Sequence, residues 1–189
     1  MKIAITGGIG SGKSFVCQCL HRHGIEVYDC DTAAKRLMRS SAELQQQLKE
    51  LVGEAVCRDG ILQKAVLAKF LLASDAHVQA VNSIVHPAVA RDFEQSGLDW
   101  IETAILFDSG FHRRIYIDKV VCVSAPIEVR ISRIMERDHI TRQQAMGWIA
   151  KQLPQDEVLA LSDYEIVNDG QRDVDRQVAR LLSEIQNRK

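Results

Sequence analysis

Gly7-Gly8-Ile9-Gly10-Ser11-Gly12-Lys13-Ser14 satisfies the pattern G-x-x-x-x-G-K-[ST], a spacing suited to holding phosphates. Its glycines let successive backbone N–H groups curl around phosphate oxygens, with the positive end of a following helix behind them. In that arrangement the loop from Gly8 through Gly10, Ser11 and Gly12 cradles the phosphates of ATP. Lys13 reaches the β- and γ-phosphates, and the Ser14 hydroxyl ligates Mg²⁺. The backbone amide of Phe15, at the start of the helix, adds a donor to the α-phosphate. A glycine-rich turn with no such task would have no reason to place Lys and Ser directly after the last glycine.

Phosphoryl transfer also needs a group that orients or deprotonates the acceptor hydroxyl. Asp29 and Asp31 are the candidates, because alternation across a strand end puts both carboxylates on one face. Asp31 fits equally well as the N-cap of the next helix. Farther along, Arg130, Arg133 and Arg137 fall at i, i+3 and i+7 of one helix, and Arg142 follows after Asp-His-Ile-Thr. One reading is a mobile flap whose guanidinium groups neutralise the transferring phosphoryl and exclude water. The other is a solvated face paired with Glu128, Glu136 and Asp138. Arg137 fits the first better, and Arg130 the second.

These residues must be positioned by a core, and 189 residues with 46% hydrophobic content can build one. Twenty-four Lys and Arg against 25 Asp and Glu leave a net charge of -1, so no global field recruits nucleic acid or an anionic membrane. Five cysteines with no C-x-x-C pair argue against a disulfide framework and a zinc site. With no apolar run long enough to span a bilayer, a cytoplasmic protein is expected, with no obligate protein partner evident.

Lys2 to Thr6 reads as a short buried strand entering the glycines, and Lys13 to His23 as a helix. Glu26 to Tyr28 is a second strand. From about 32 to 95 the pattern is helical throughout, with breaks expected at Asp59-Gly60 and His86-Pro87. Strands return at Trp100 to Leu106, Lys119 to Ser124 and Tyr164 to Val167, and helices follow Pro126, Thr141 and Arg172. Strands alternating with helices imply a parallel α/β sheet covered on both faces, with ligands beyond the carboxyl ends of the strands.

The chain resembles the dephospho-CoA kinases. The resemblance rests on Thr6 through Ser14, Asp29-Cys30-Asp31 after a Gly-Ile-x-Val segment, His86-Pro87, Arg133-x-x-x-Arg137-Asp138, Arg142, Gln152, and Asp163 through Asn168-Asp169-Gly170. It implies a single P-loop kinase domain over 1–189, with a five-stranded sheet in the order 2-3-1-4-5. The core would be 1–31 and 96–189, with a helical CoA-binding insertion at about 32–95 and an arginine lid at about 130–150.

The resemblance also implies roles. Asp31 acts on the ribose 3′-hydroxyl of dephospho-CoA, and Asp29 and His86 lie on the acceptor side. Arg133, Arg137 and Arg142 hold ATP with the loop, and Asn168 and Gly170 border adenine. The chain departs from the family pattern at Phe15, where Thr is usual, and at Leu106-Phe107-Asp108-Ser109-Gly110. Two competing readings are a P-loop kinase for a nucleoside monophosphate or small alcohol, and a regulatory P-loop ATPase. The second would need an acidic residue after an apolar strand, for which Asp108 is a poor match.

Overall fold

The apolar run Ile3–Thr6 forms β1 and is buried along its whole length, as a strand covered on both faces must be. The computed structural model describes residues 1–187. After β1 come α1 (Lys13–Arg22), β2 (Val27–Asp29), α2 (Cys30–Ser40), α3 (Ala42–Val52), β3 (Cys57–Arg58), β4 (Ile61–Leu62), α4 (Lys64–Ala73) and α5 (Asp75–Ser96). The chain continues through β5 (Trp100–Glu102), β6 (Lys119–Ser124), α6 (Ile127–Asp138), α7 (Arg142–Ala150), α8 (Gln155–Ala160), β7 (Tyr164–Val167) and α9 (Val174–Gln186).

Five strands make one sheet in the order β2-β5-β1-β6-β7. Counted along the chain within that sheet, the order is 2-3-1-4-5. β1 runs parallel to β5 and β6, with Ile3 opposite Trp100 and Lys119, and β6 runs parallel to β7. Parallel neighbours require crossover connections, and α1 and α9 supply apolar faces for one side. Val174, Val178, Leu181 and Ile185 of α9 are buried at helical spacing and share a core with Val16, Cys19 and Leu20 of α1 and Ile3, Ile5 and Val121 of the sheet. Asp173 starts α9 by accepting the Arg176 N–H at 3.0 Å, a side-chain N-cap.

Two compact units emerge, one comprising Met1–Tyr28 with the chain from Leu98 onward, the other Asp29–Gly97. Within the second, α5 packs against α2, α3 and α4. Its Val81, Val85, Val89 and Phe93 recur every four residues and are buried. That stripe carries the helix straight through Pro87, so the break expected at His86-Pro87 does not occur: one missing N–H costs less than the packing on either side supplies. The break expected at Asp59-Gly60 does occur, but the flanking residues are strands rather than helices. Asp59 and Gly60 have positive φ, 49° and 74°, and they turn the short antiparallel hairpin β3-β4.

Strand β5 ends at Glu102 rather than Leu106. Residues 104–109 form turns instead, in which Leu106 is buried. No helix among the described residues is long and apolar enough to cross a membrane. All five cysteines are free thiols.

Candidate functional site: a phosphate loop held by α6 and the end of β7

The loop between β1 and α1 is shaped by glycines at positions other residues could not take. Gly12, the residue before α1, sits at φ 90°, and a β-carbon there would overlap the Asn168 amide nitrogen. Gly12→Ala is therefore expected to destabilise the fold by about 1–3 kcal/mol and to abolish ATP binding. A denaturant melt and an ATP titration check both effects.

Lys13 folds back over the loop. Its ammonium donates to the Gly7 carbonyl at 3.0 Å and lies 3.7 Å from a Glu102 carboxylate oxygen, with both side chains largely buried at 11% and 14% exposure. Glu102 stands at the carboxyl end of β5, beside β1 in the sheet. Sequence reasoning missed it because it extended the strand to Leu106 and sought the acid at Asp108. The signal was present: Glu102 directly follows the apolar pair Trp100-Ile101. Asp108 instead accepts the Leu153 N–H at 2.8 Å, next to Gln152.

The Ser11 hydroxyl is the one buried side-chain polar atom among the described residues without a hydrogen-bond partner. Orphaned buried donors are costly, and this one lies within the phosphate loop. Ser14 and Phe15 are exposed in the first turn of α1.

Two other elements grip the loop. From β7's end, Asn168 is buried and its amide donates to the Ser11 carbonyl at 3.0 Å. From α6, Arg133 donates to the Asn168 carbonyl at 3.0 Å and the Asn168 side-chain oxygen at 3.1 Å, with longer bonds to the Gly10 and Ser11 carbonyls. A cavity of about 600 Å³ opens here, lined by Gly12, Phe15, Arg133, Asn168, Gly170 and Arg172 among others.

Arg130 corrects the expected solvated face: it is 4% exposed, and its Nε donates to the Ile9 carbonyl at 2.9 Å. Gln152 accepts from the Ile9 N–H at 2.7 Å. Ile9 also packs its side chain on Ile131, Ile134 and Ala145 of α6 and α7. α7 opens with a complete capping box between Thr141 and Gln144.

The other two arginines lie outside this contact set. Arg137 is exposed and pairs with Asp138 at 2.6 Å. Arg142 is exposed and pairs with Glu128 at 2.7 Å. These pairs hold the Asp138 and Glu128 carboxyls below their ordinary pKa values, mainly through the hydrogen bond from each arginine.

In the second unit, Asp29 rather than Asp31 is the N-cap of α2. Its carboxylate accepts from the Thr32 N–H at 2.9 Å and the Thr32 hydroxyl at 2.8 Å. Asp31 lies in the first helical turn, exposed. The two are thus not alternate residues of one strand, because the chain turns helical at Cys30. His86 lies partly buried within α5.

A parallel sheet whose first strand feeds a G-x-x-x-x-G-K-S loop and a helix, with a basic two-helix element beside that loop, defines a P-loop kinase. The profile of the CoaE dephospho-CoA kinase family matches residues 1–173. The chain is 38% identical to the dephospho-CoA kinase of Bacteroides fragilis, over 97% of this chain and 92% of that one. It is 37% identical to the dephospho-CoA kinase of Porphyromonas gingivalis, over 99% and 95%. Among solved structures, a Thermus thermophilus protein superposes with a TM-score of 0.80 at 30% identity, covering 97% of each chain. Dephospho-CoA kinase from Campylobacter jejuni gives 0.68 at 20% identity over 98% of each, a likeness of fold. The chain belongs to the dephospho-CoA kinase family, and it is an enzyme of coenzyme A biosynthesis.

Proposed function

We propose that the protein carries out its family's reaction, the ATP-dependent phosphorylation of dephospho-CoA, by passing the γ-phosphoryl group to the ribose 3′-hydroxyl to give CoA and ADP. The observation that carries this is the loop itself, with Lys13 folded over it and an unpartnered Ser11 hydroxyl inside it. Backbone N–H groups of Gly8, Gly10, Ser11, Gly12, Lys13, Ser14 and Phe15 hold the triphosphate. Asn168 and Gly170, which line the 600 Å³ cavity, border the base. Arg133 holds the loop against that cavity.

The 3′-oxygen attacks the γ-phosphorus, the bond to the β-γ bridging oxygen breaks, and Asp31 takes the hydroxyl proton. Asp29 and His86 lie on the acceptor side, with the second unit as the CoA-binding element. A divalent ion fits this donor set. Ser14 and Glu102 offer hard oxygens, and no cluster of three or more His, Cys, Asp or Glu occurs among the described residues. Such a site suits Mg²⁺, which keeps several waters and leans on substrate phosphates. Bound there, the ion neutralises charge on the β- and γ-phosphates. Free thiols and the lack of an apolar spanning helix among the described residues support a cytoplasmic setting.

The residues from about 130 to 150 act as a lid, in which Arg137 and Arg142 exchange their surface carboxylates for phosphate when ATP and acceptor are bound. Arg137→Ala is expected to lower turnover about tenfold or more while changing stability by no more than about 0.5 kcal/mol, as befits an exposed pair. Hydrogen exchange across α6 and α7, with and without both substrates, reads the closure directly.

Coupled ADP release with dephospho-CoA, AMP, CMP and shikimate as acceptors tests the assignment. Rapid release is expected with dephospho-CoA alone. Faster turnover with one of the other three would assign a different acceptor.

A further inference from the structure

We infer that Arg130 is a phosphate-binding cation of the kinase site, holding the terminal phosphoryl group of the nucleotide at the Gly8–Ile9 end of the loop. This rests on the kinase reading above and adds a residue to it.

Arg130 is the only charged side chain among the buried polar residues described. No ion pair is formed by it among the described residues, although every other arginine of α6 and α7 has carboxylate or amide partners. Arg137 has Asp138, Arg142 has Glu128, and Arg133 has both oxygens of Asn168. Lys13 lies near Glu102. Only the Nε of Arg130 is committed, to the Ile9 carbonyl.

The Arg130 side chain is buried as a whole, while its terminal nitrogens are not among the buried unpartnered atoms and keep donors that an anion can complete as a fork. The fork lies against the loop backbone, since a β-carbon added to Gly8 would overlap it. Burial pushes its pKa below the ordinary arginine value, yet arginine stays protonated at working pH. A fixed positive charge therefore faces the turn of chain that must receive an anion.

Its place along the loop selects which phosphate it meets. The cavity for the base opens at Gly12, Phe15 and Asn168, at one end of the loop. Lys13 rests on the Gly7 carbonyl and Arg130 on Ile9, both at the other end. The triphosphate runs from the first end to the second, which leaves its terminal group between Lys13 and Arg130. Gln152 accepts from the N–H of the same residue, Ile9, so two side chains fix the backbone of the loop at this point.

The test uses the whole chain with Arg130→Gln and Arg130→Lys, and reads dissociation constants for Mg-ATP and Mg-ADP by calorimetry without acceptor. Wild type is expected to favour ATP over ADP, and Arg130→Gln to lower that ratio about 10- to 100-fold, the loss for a hydrogen bond to a charged group. Turnover should fall by a similar factor. Arg130→Lys should retain part of both.

Melting of the nucleotide-free protein should be unchanged or raised in Arg130→Gln, because a buried charge without a carboxylate has been removed. An unaltered ATP-to-ADP ratio would overturn the inference. So would parallel collapse of melting temperature and activity in both variants, which would mark a brace for Ile9. Because the binding arm omits the acceptor, phosphorylation of some molecule other than dephospho-CoA would leave this inference standing. Failure of the wild type to bind ATP would remove both.

Discussion

Lys13→Ala is expected to lower turnover about 10³-fold or more, the scale seen when a cation facing a transferring phosphoryl group is lost. The lysine contributes where charge develops on the β-γ bridge and the γ-phosphoryl oxygens, so its loss is felt most in the transition state. The side chain is only 11% exposed, lies near Glu102 and donates to Gly7, so alanine also removes packed methylene groups and a positive charge beside Glu102. Lys13→Met separates these effects by keeping the apolar stem. Both variants should stay folded and lose turnover together. Coupled ADP release with circular-dichroism melts checks this; near-wild-type turnover in the methionine variant would take the loop out of catalysis.

The phosphate loop was legible because its pattern is local: glycine spacing, Lys and Ser sit within eight residues and need no tertiary information. The same holds for β6, whose Val120-Val121-Cys122-Val123 core has no polar face to misassign. The five-stranded order followed from the resemblance, and the sheet has it.

What escaped reading depended on packing. Arg130 was placed with the solvated arginines by charge, although it lies four residues before Ile134 and beside Ile131 and so borders the buried stripe of α6. A guanidinium on an apolar stripe is a stronger sign of a buried partner than one on the exposed face, such as Arg137. Glu102 was missed because β5 stops where its carboxylate meets Lys13, two residues after the apolar run begins. At Asp59-Gly60 the local turn signal gave the expected break, and what escaped was the pair of two-residue strands it joins. The reverse occurred at Pro87, where a local breaker was overridden by Val81, Val85, Val89 and Phe93. Hydrophobic spacing over thirteen residues prevailed over one missing N–H.

Asp31→Asn should lower turnover about 10²- to 10⁴-fold with little change in ATP affinity, the range for loss of a general base. On sequence alone this variant was ambiguous, because Asp31 fitted the capping role too and Asn caps nearly as well as Asp. The structure gives the cap to Asp29, whose carboxylate binds both Thr32 groups, and leaves the Asp31 carboxylate exposed in the first turn of α2. Losing a negative charge there removes only its interaction with the helix dipole, about 0.3–1 kcal/mol. A small stability change is therefore expected alongside a large kinetic one. Asp29→Ala should lose about 1 kcal/mol of stability with the cap, and its kinetic loss should fall on acceptor binding rather than on phosphoryl transfer. Equilibrium unfolding and single-turnover phosphoryl transfer on both variants separate the roles. Normal transfer by Asp31→Asn would remove it as the base, and the proton of the 3′-hydroxyl would need another acceptor.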